Sequence, residues 1–347
     1  MKIGNCRDGD VKYAELSNDG ACIVSNFVDN RVACYILPQD LLDGEVHQLE
    51  PYSTVHCGEP TLAVASFPLW KLTDESSCCF LAATRDHPIR LFDLRGNLCA
   101  SYPLINHRES FLAPHSIIYS HEGTSFYCGT QSMISMFDLN RPTVEPDSFA
   151  TVPTRHTPAS VYHQRGILSA MALSSENILV AGSFSKSVGL YRAPSLEAIG
   201  VFNAESGEGV TQTIWSPCGR YLYIASRKSS QIEVWDIRSA GKVVRRLRGR
   251  RAMTNQRMGI ALSYDGKLIA AGGVDGKIQM WAGESEQPAF EMQAHKAPVT
   301  SVAFHSSDTI LMSASAMARP SNDLPEKGDD EAIQIWDIVD ISQIIYK

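Results

Sequence analysis

The chain has 347 residues and a formal net charge of −7, from 31 Lys and Arg against 38 Asp and Glu. At 44% hydrophobic and 20% charged it has the composition of an ordinary soluble protein with ample apolar material for a core. No apolar run approaches the ~18 residues of a membrane span, Met1 leads into mixed polar sequence rather than a secretory leader, and an evenly spread acidic charge would exclude nucleic acid.

Taken in chain order, short β-rich runs with a late aromatic recur. They are RVACYIL (31–37), PIRLFDL (88–94), MISMFDL (133–139), SVGLYRA (187–193), QIEVWDI (231–237), KIQMWAG (277–283) and AIQIWDI (332–338). Their aromatics, Tyr35, Phe92, Phe137, Tyr191, Trp235, Trp281 and Trp336, are spaced by 57, 45, 54, 44, 46 and 55 residues. Three spacings fall at 44 to 46, and the longer ones contain insertions. Upstream of each aromatic lies a pair of alternating apolar strands around a tight turn, clearest at 210–226, 258–273 and 299–315. No sustained helical periodicity appears. Seven such four-stranded units predict an all-β chain, a seven-bladed β-propeller in one domain, where the length alone suggests two. The expected blades are 11–51, 60–103, 115–152, 166–202, 210–248, 257–292 and 298–346. Either residues 1–6 or residues 340–347 are expected to supply the last outer strand.

The pattern resembles the WD-repeat family. Trp-Asp stands at 235–236 and 336–337, Phe-Asp at 92–93 and 137–138, and Asn106-His107 and Ala294-His295 replace the usual Gly-His. With the four strands of each unit labelled a (innermost) to d (outermost) and the aromatic on c, the resemblance implies that the b–c connections (Thr84–His87, Arg227–Ser230, 316–331) and the d–a connections (Asn106–Pro114, 156–165, Gly249–Gln256) open on one face. It also places His107 and His295 where the family uses a histidine to bond within the blade. The nine cysteines are unpatterned, which reads as reduced intracellular thiols and makes zinc improbable.

Charge is unevenly placed. From Ile237 to Tyr264 there is no acid and there are eight basic residues, so the remaining chain carries −15. With Arg227 and Lys228 alongside, the block suits phosphate, and Arg can bind it bidentately or stack on a base. Arg227, Lys228, Arg250, Arg251 and Arg257 are therefore candidates for phosphate or base contact, and Asn255, Gln256 and Asn106 for base edges. Arg85, His107, His115, Phe184 and Lys186 are rim candidates. The competing reading of the block is a solvated outer strand, and RRLRGRR (245–251) also has the form of a nuclear localisation signal. The acidic stretch 319–331 reads as a solvated loop. No G-x-S-x-G elbow, Walker loop or H-E-x-x-H pattern is present, so no catalytic carrier, cofactor or metal is expected.

Beyond the repeat, the chain resembles the telomerase Cajal body protein family. The resemblance is carried by HPIRLFD (87–93), Asn106-His107, His115-Ser116, GILSAMALS (166–174), GSFSKSVGLY (182–191), SRKSSQIEVWDIR (226–238), TNQR (254–257) and the acidic insertion at 321–331. It covers about residues 85 to 345. It implies binding, without turnover, of a short single-stranded element in a box H/ACA-type guide or telomerase RNA. It further implies nuclear ribonucleoprotein partners and folding by the cytosolic chaperonin. A monomer with no membrane partner is expected. The chain differs in lacking the long N-terminal region of animal members, which suggests a compact fungal-type relative in small nuclear ribonucleoprotein maturation. The same arginines also suit an acidic peptide on a splicing or assembly scaffold.

Overall fold

The computed structural model describes residues 1–43, 46–153, 163–238, 242–317 and 332–339. Seven sheets follow one another along the chain in the strand order of a seven-bladed β-propeller, with a short 3-10 turn at Glu75–Ser77. Most neighbouring strands pair antiparallel, as the alternating pattern requires. No helix of the described residues is long and apolar enough to cross a membrane.

The chain divides into two compact units. The first comprises Met1–Gly58, Arg227–Gln231 and Arg246–Lys347, and the second Glu59–Ser226 and Ile232–Arg245. In the first unit, the last sheet is finished by the N-terminus. Lys2–Cys6 pairs antiparallel with Ile333–Asp337, and Met1 N and Asp337 O lie 2.6 Å apart. Residues 340–347, the other candidate for that strand, lie outside the described residues. His47–Gln48 then adds a short parallel strand beyond Lys2–Cys6, leaving little of that edge open. Because the chain makes this detour, the outer strand of the first sheet is Ser53–His56, past the expected limit of 51.

Six of the seven repeated aromatics are buried and Trp336 is partly buried, and several carry a polar atom with its own partner. Tyr35 Oη donates to Asp8 (3.1 Å), Tyr191 Oη to Gln164 Oε1 (2.7 Å), Trp281 Nε1 to the Arg248 carbonyl (3.1 Å) and Trp336 Nε1 to Ser313 Oγ (2.9 Å). A buried ring N–H or O–H left without a partner would cost about 1–3 kcal/mol, so these bonds fix which way each ring faces. His295, as expected, bonds within its blade: the ring is buried with Nε2 2.8 Å from Ser313 Oγ. His107 does not, and lies exposed in the turn after Asn106.

In the second unit, Glu233 is fully buried and accepts from Trp235 Nε1 (2.9 Å), Glu205 N (3.2 Å) and Ser206 N. Beside it Val180, Val210, Leu222, Ile224 and Trp235 form one apolar cluster, with the Phe202 ring tilted 34° to Trp235 at 4.4 Å between centroids. Gly129 is dictated by a close approach, since a Cβ there would stand 2.7 Å from Leu168 Cβ. All nine cysteines are free thiols, and seven are buried among these apolar contacts.

Candidate nucleic-acid interface

The basic residues of the first unit are placed by two strand ends. Tyr221–Arg227 stops at Arg227, Lys228 turns the chain with φ 50°, and Ser229–Asp236 begins at once. The expected connection 227–230 is thus a one-residue turn. The Lys228 amide donates to the Thr254 carbonyl (3.0 Å), which ties this turn to the 253–257 loop. Within the loop, Thr254 Oγ1 accepts from the Gln256 amide, and Gln256 Nε2 donates to the Ala316 carbonyl (3.2 Å). That second bond sets the carboxamide orientation and leaves Gln256 Oε1 buried with no donor among the described residues. Asn255 is exposed at the loop tip and Met253 is 68% exposed beside it.

Arg257 is half-buried, and burial pushes its guanidinium below the usual arginine range, partly offset by Tyr13. Tyr13 lies on Val11–Leu16 and donates to Glu15 Oε2 (2.8 Å), and burial followed by that carboxylate pushes its hydroxyl well up. Sequence reading missed this Tyr13–Glu15 pair. Its signal was an acid two residues from a tyrosine, hence on the same face of a strand that otherwise reads as core.

The long strand Lys242–Ala252 carries the rest of the block, so the expected connection at 249–256 begins only after Ala252. That boundary is the first of three corrections, and the burial of Arg250 is the second. Arg250 is 2% exposed, with Nη2 donating to the Met258 carbonyl (2.8 Å) and its pKa pushed down to about 10 by burial, so it cannot reach a ligand. Its neighbour Arg251 points out. The reason is Gly249, whose left-handed φ of 87° shifts the in-and-out phase of the strand by one residue.

The third correction concerns charge. The block has no acid in sequence, but sheet neighbours supply them: Arg251 Nη1 meets Asp275 (2.6 Å), Arg251 Nη2 meets Glu291 (3.7 Å) and Arg248 Nε meets Glu286 (3.1 Å). Arg238 likewise lies 3.6 Å from the buried carboxylate of Asp236, which Arg220 also holds at 2.8 Å.

The rim candidates belong to the second unit. His115 and Phe184 are brought together edge to face, with centroids 6.3 Å apart at 74°. Lys186 has φ 69° and its Nζ reaches the Glu205 carbonyl (3.3 Å). Asn106 uses its Oδ1 on the amides of Arg108 (2.8 Å) and Ser110 (3.1 Å), so this oxygen shapes the turn and is unavailable for reading a base. Arg85 and His107 are exposed. The expected 156–165 connection is described only from 163, and the acidic insertion 319–331 lies outside the described residues. No group of three or more His, Cys, Asp or Glu among the described residues could hold a metal ion.

Comparison with known proteins adds three findings. The model of the WD domain, G-beta repeat, matches residues 241–282 and 286–337. Telomerase Cajal body protein 1 of Bos taurus is 28% identical over 94% of this chain and 61% of its own length, and that of Homo sapiens 27% over 92% and 59%. The chain thus spans about three fifths of the length of these relatives. Guanine nucleotide-binding protein negative regulator 1 of Schizosaccharomyces pombe is 33% identical over 76% of this chain and 68% of that protein.

Proposed function

Because the chain belongs to the telomerase Cajal body protein family of WD-repeat propellers, we propose that it binds a short single-stranded element of a small non-coding RNA, of box H/ACA guide or telomerase type, without turnover. The observation that carries the reading is the loop at 253–257. It joins Lys228, Arg257 and the exposed Asn255 to a carboxamide whose buried oxygen has no donor among the described residues. A base amino group would satisfy Gln256 Oε1, and single-stranded bases expose the edges a duplex hides. Arg227, Lys228, Arg251 and Arg257 serve the phosphates. His115 and Phe184 offer a ring pair for stacking in the second unit. The setting would be nuclear ribonucleoprotein biogenesis, with ribonucleoprotein partners and the cytosolic chaperonin acting during folding.

Ultraviolet crosslinking in cells, followed by sequencing of bound RNA, tests this. Enrichment of small nuclear guide RNAs over a charge-matched control propeller is expected, and no enrichment would overturn it. A scaffold that binds an acidic peptide has one observation in its favour, since Arg248 and Arg251 already hold carboxylates. In that case the same crosslinking returns no RNA, while an acidic partner protein is recovered through the 246–257 segment.

A further inference from the structure

Arg248 and Arg251 are the outward residues of a strand whose backbone is pinned from the neighbouring sheet. The Arg248 amide donates to the Glu286 carbonyl (2.7 Å), its carbonyl accepts from Trp281 Nε1 (3.1 Å), and the Arg251 carbonyl accepts from the Val274 amide (2.8 Å). None of these three bonds uses a carboxylate, and the one long contact that does, from the Arg246 amide to Glu286 Oε1 (3.5 Å), is kept by a glutamine oxygen. The side-chain pairs are a separate layer, built over long sequence separations and left open to water: Arg248 is 58% and Glu286 43% exposed, Arg251 46% and Asp275 27%. Exposed pairs of this kind contribute only about 0–1 kcal/mol to folding, so stability does not account for placing acids opposite the outward arginines. Their effect on a ligand is larger in kind, because any phosphate approaching these guanidiniums meets a carboxylate already in its place.

We propose that Asp275 and Glu286, with Glu291 behind Arg251, are counter-ions that set the selectivity of the basic strand. They hold Arg248 and Arg251 against casual polyanions and release them to a phosphate backbone that is also engaged elsewhere on the protein. The inference rests on the RNA-binding reading above. A strand of RNA that touches only the arginines must exchange one anion for another and gains little net attraction. An RNA anchored as well at Lys228, Asn255 and Gln256 brings phosphates to the arginines at high local concentration, so exchange is favourable there. Sequence-blind attraction is thereby lowered more than specific binding. Discrimination comes from an added repulsive element rather than from a new contact.

The test compares the full-length protein with the double variant Asp275→Asn, Glu286→Gln. Both changes keep side-chain size, and both spare Glu291, which also accepts from Gln279 Nε2 (2.6 Å). Binding of a fluorescent 12-nucleotide polyuridine and of a box H/ACA guide RNA is measured by anisotropy between 50 and 300 mM salt. The control double variant Asp29→Asn, Glu75→Gln removes two exposed carboxylates from arginine pairs elsewhere, at the half-buried Arg31, which keeps Asp8, and at the exposed Arg95.

The counter-ion variant should bind polyuridine about tenfold tighter, from about threefold per carboxylate. Its salt slope should steepen by about 0.7 for each phosphate newly engaged, and the preference for guide RNA should fall. The control should bind as wild type. Equal tightening by the control would assign the effect to net charge and overturn the inference, as would a counter-ion variant with wild-type polyuridine affinity and slope in a protein that still binds guide RNA. Should wild type bind neither RNA, the RNA-binding reading itself fails, and the wild-type arm alone reveals that.

Discussion

Glu233 and Glu286 are both carboxylates close to nitrogen donors, and they do different work. Glu233 is fully buried and takes Trp235 Nε1 and two backbone amides, with no guanidinium on it. Glu286 is 43% exposed and faces Arg248 at 3.1 Å. Inside, low dielectric makes each bond strong and each unmade bond costly, so the carboxylate acts as a structural bracket. At the surface, water and salt screen the pair, so little folding energy depends on it and what remains is an electrostatic influence on incoming charge. Distance alone does not separate these cases. Burial does.

The sharpest way to break this contrast is Glu233→Ala. With three donors orphaned in a closed site, we expect a loss of about 3 kcal/mol in urea unfolding, several times the loss from Glu286→Ala in the same assay. Equal losses would erase the distinction. Next in size, Arg250→Met should cost about 1–2 kcal/mol through the broken bond to the Met258 carbonyl, while the folded fraction binds RNA like wild type. Its neighbour gives the opposite pattern: Arg251→Ala should change stability by less than about 0.5 kcal/mol but weaken RNA binding. A smaller effect is expected from Arg227→Ala with Arg257→Ala, whose salt slope for RNA should be shallower by about 0.7 for each phosphate lost; an unchanged slope would remove both from the phosphate contacts.

The smallest effect concerns pH. Burial pushes the His305 imidazole below its ordinary value, with Asp19 opposing. A depressed folded pKa means that protonation favours the unfolded chain, so this stability is present above about pH 6.5 and is lost as pH falls through the folded pKa. His305→Gln should flatten that part of the stability profile, measured by urea midpoint against pH.

The Arg250–Arg251 contrast also shows where sequence stops being legible. The seven aromatics announce the repeat because each packs into the apolar interior of its sheet, six of them fully buried and Trp336 partly, and the turn pieces between alternating runs locate the strands. Strand alternation from Leu247 would turn Gly249 inward and Arg250 outward. The phase shift at Gly249 reverses this, and a glycine in a basic run announces its φ of 87° only weakly. The acids facing Arg248 and Arg251 were invisible for a different reason. Glu286 is 38 positions from Arg248, and nothing local links them. The charge of a stretch is a property of its neighbours in space, so the +8 block is in part compensated although its own residues include no acid. The Tyr13–Glu15 pair was missed because its strand reads as core, and only its place near Arg257 gives it meaning.

One feature of the fold bears on how the protein is made. Lys2–Cys6 is synthesised long before its antiparallel partner, Ile333–Asp337. At about 5–20 residues per second, on the order of 20 to 60 s separate the two. Through that interval Lys2–Cys6 carries an unsatisfied β-edge. The short parallel strand His47–Gln48 emerges early enough to shield one side of it. The other side waits for Ile333–Asp337, so a factor that holds this segment out of non-native pairing would act on Lys2–Cys6.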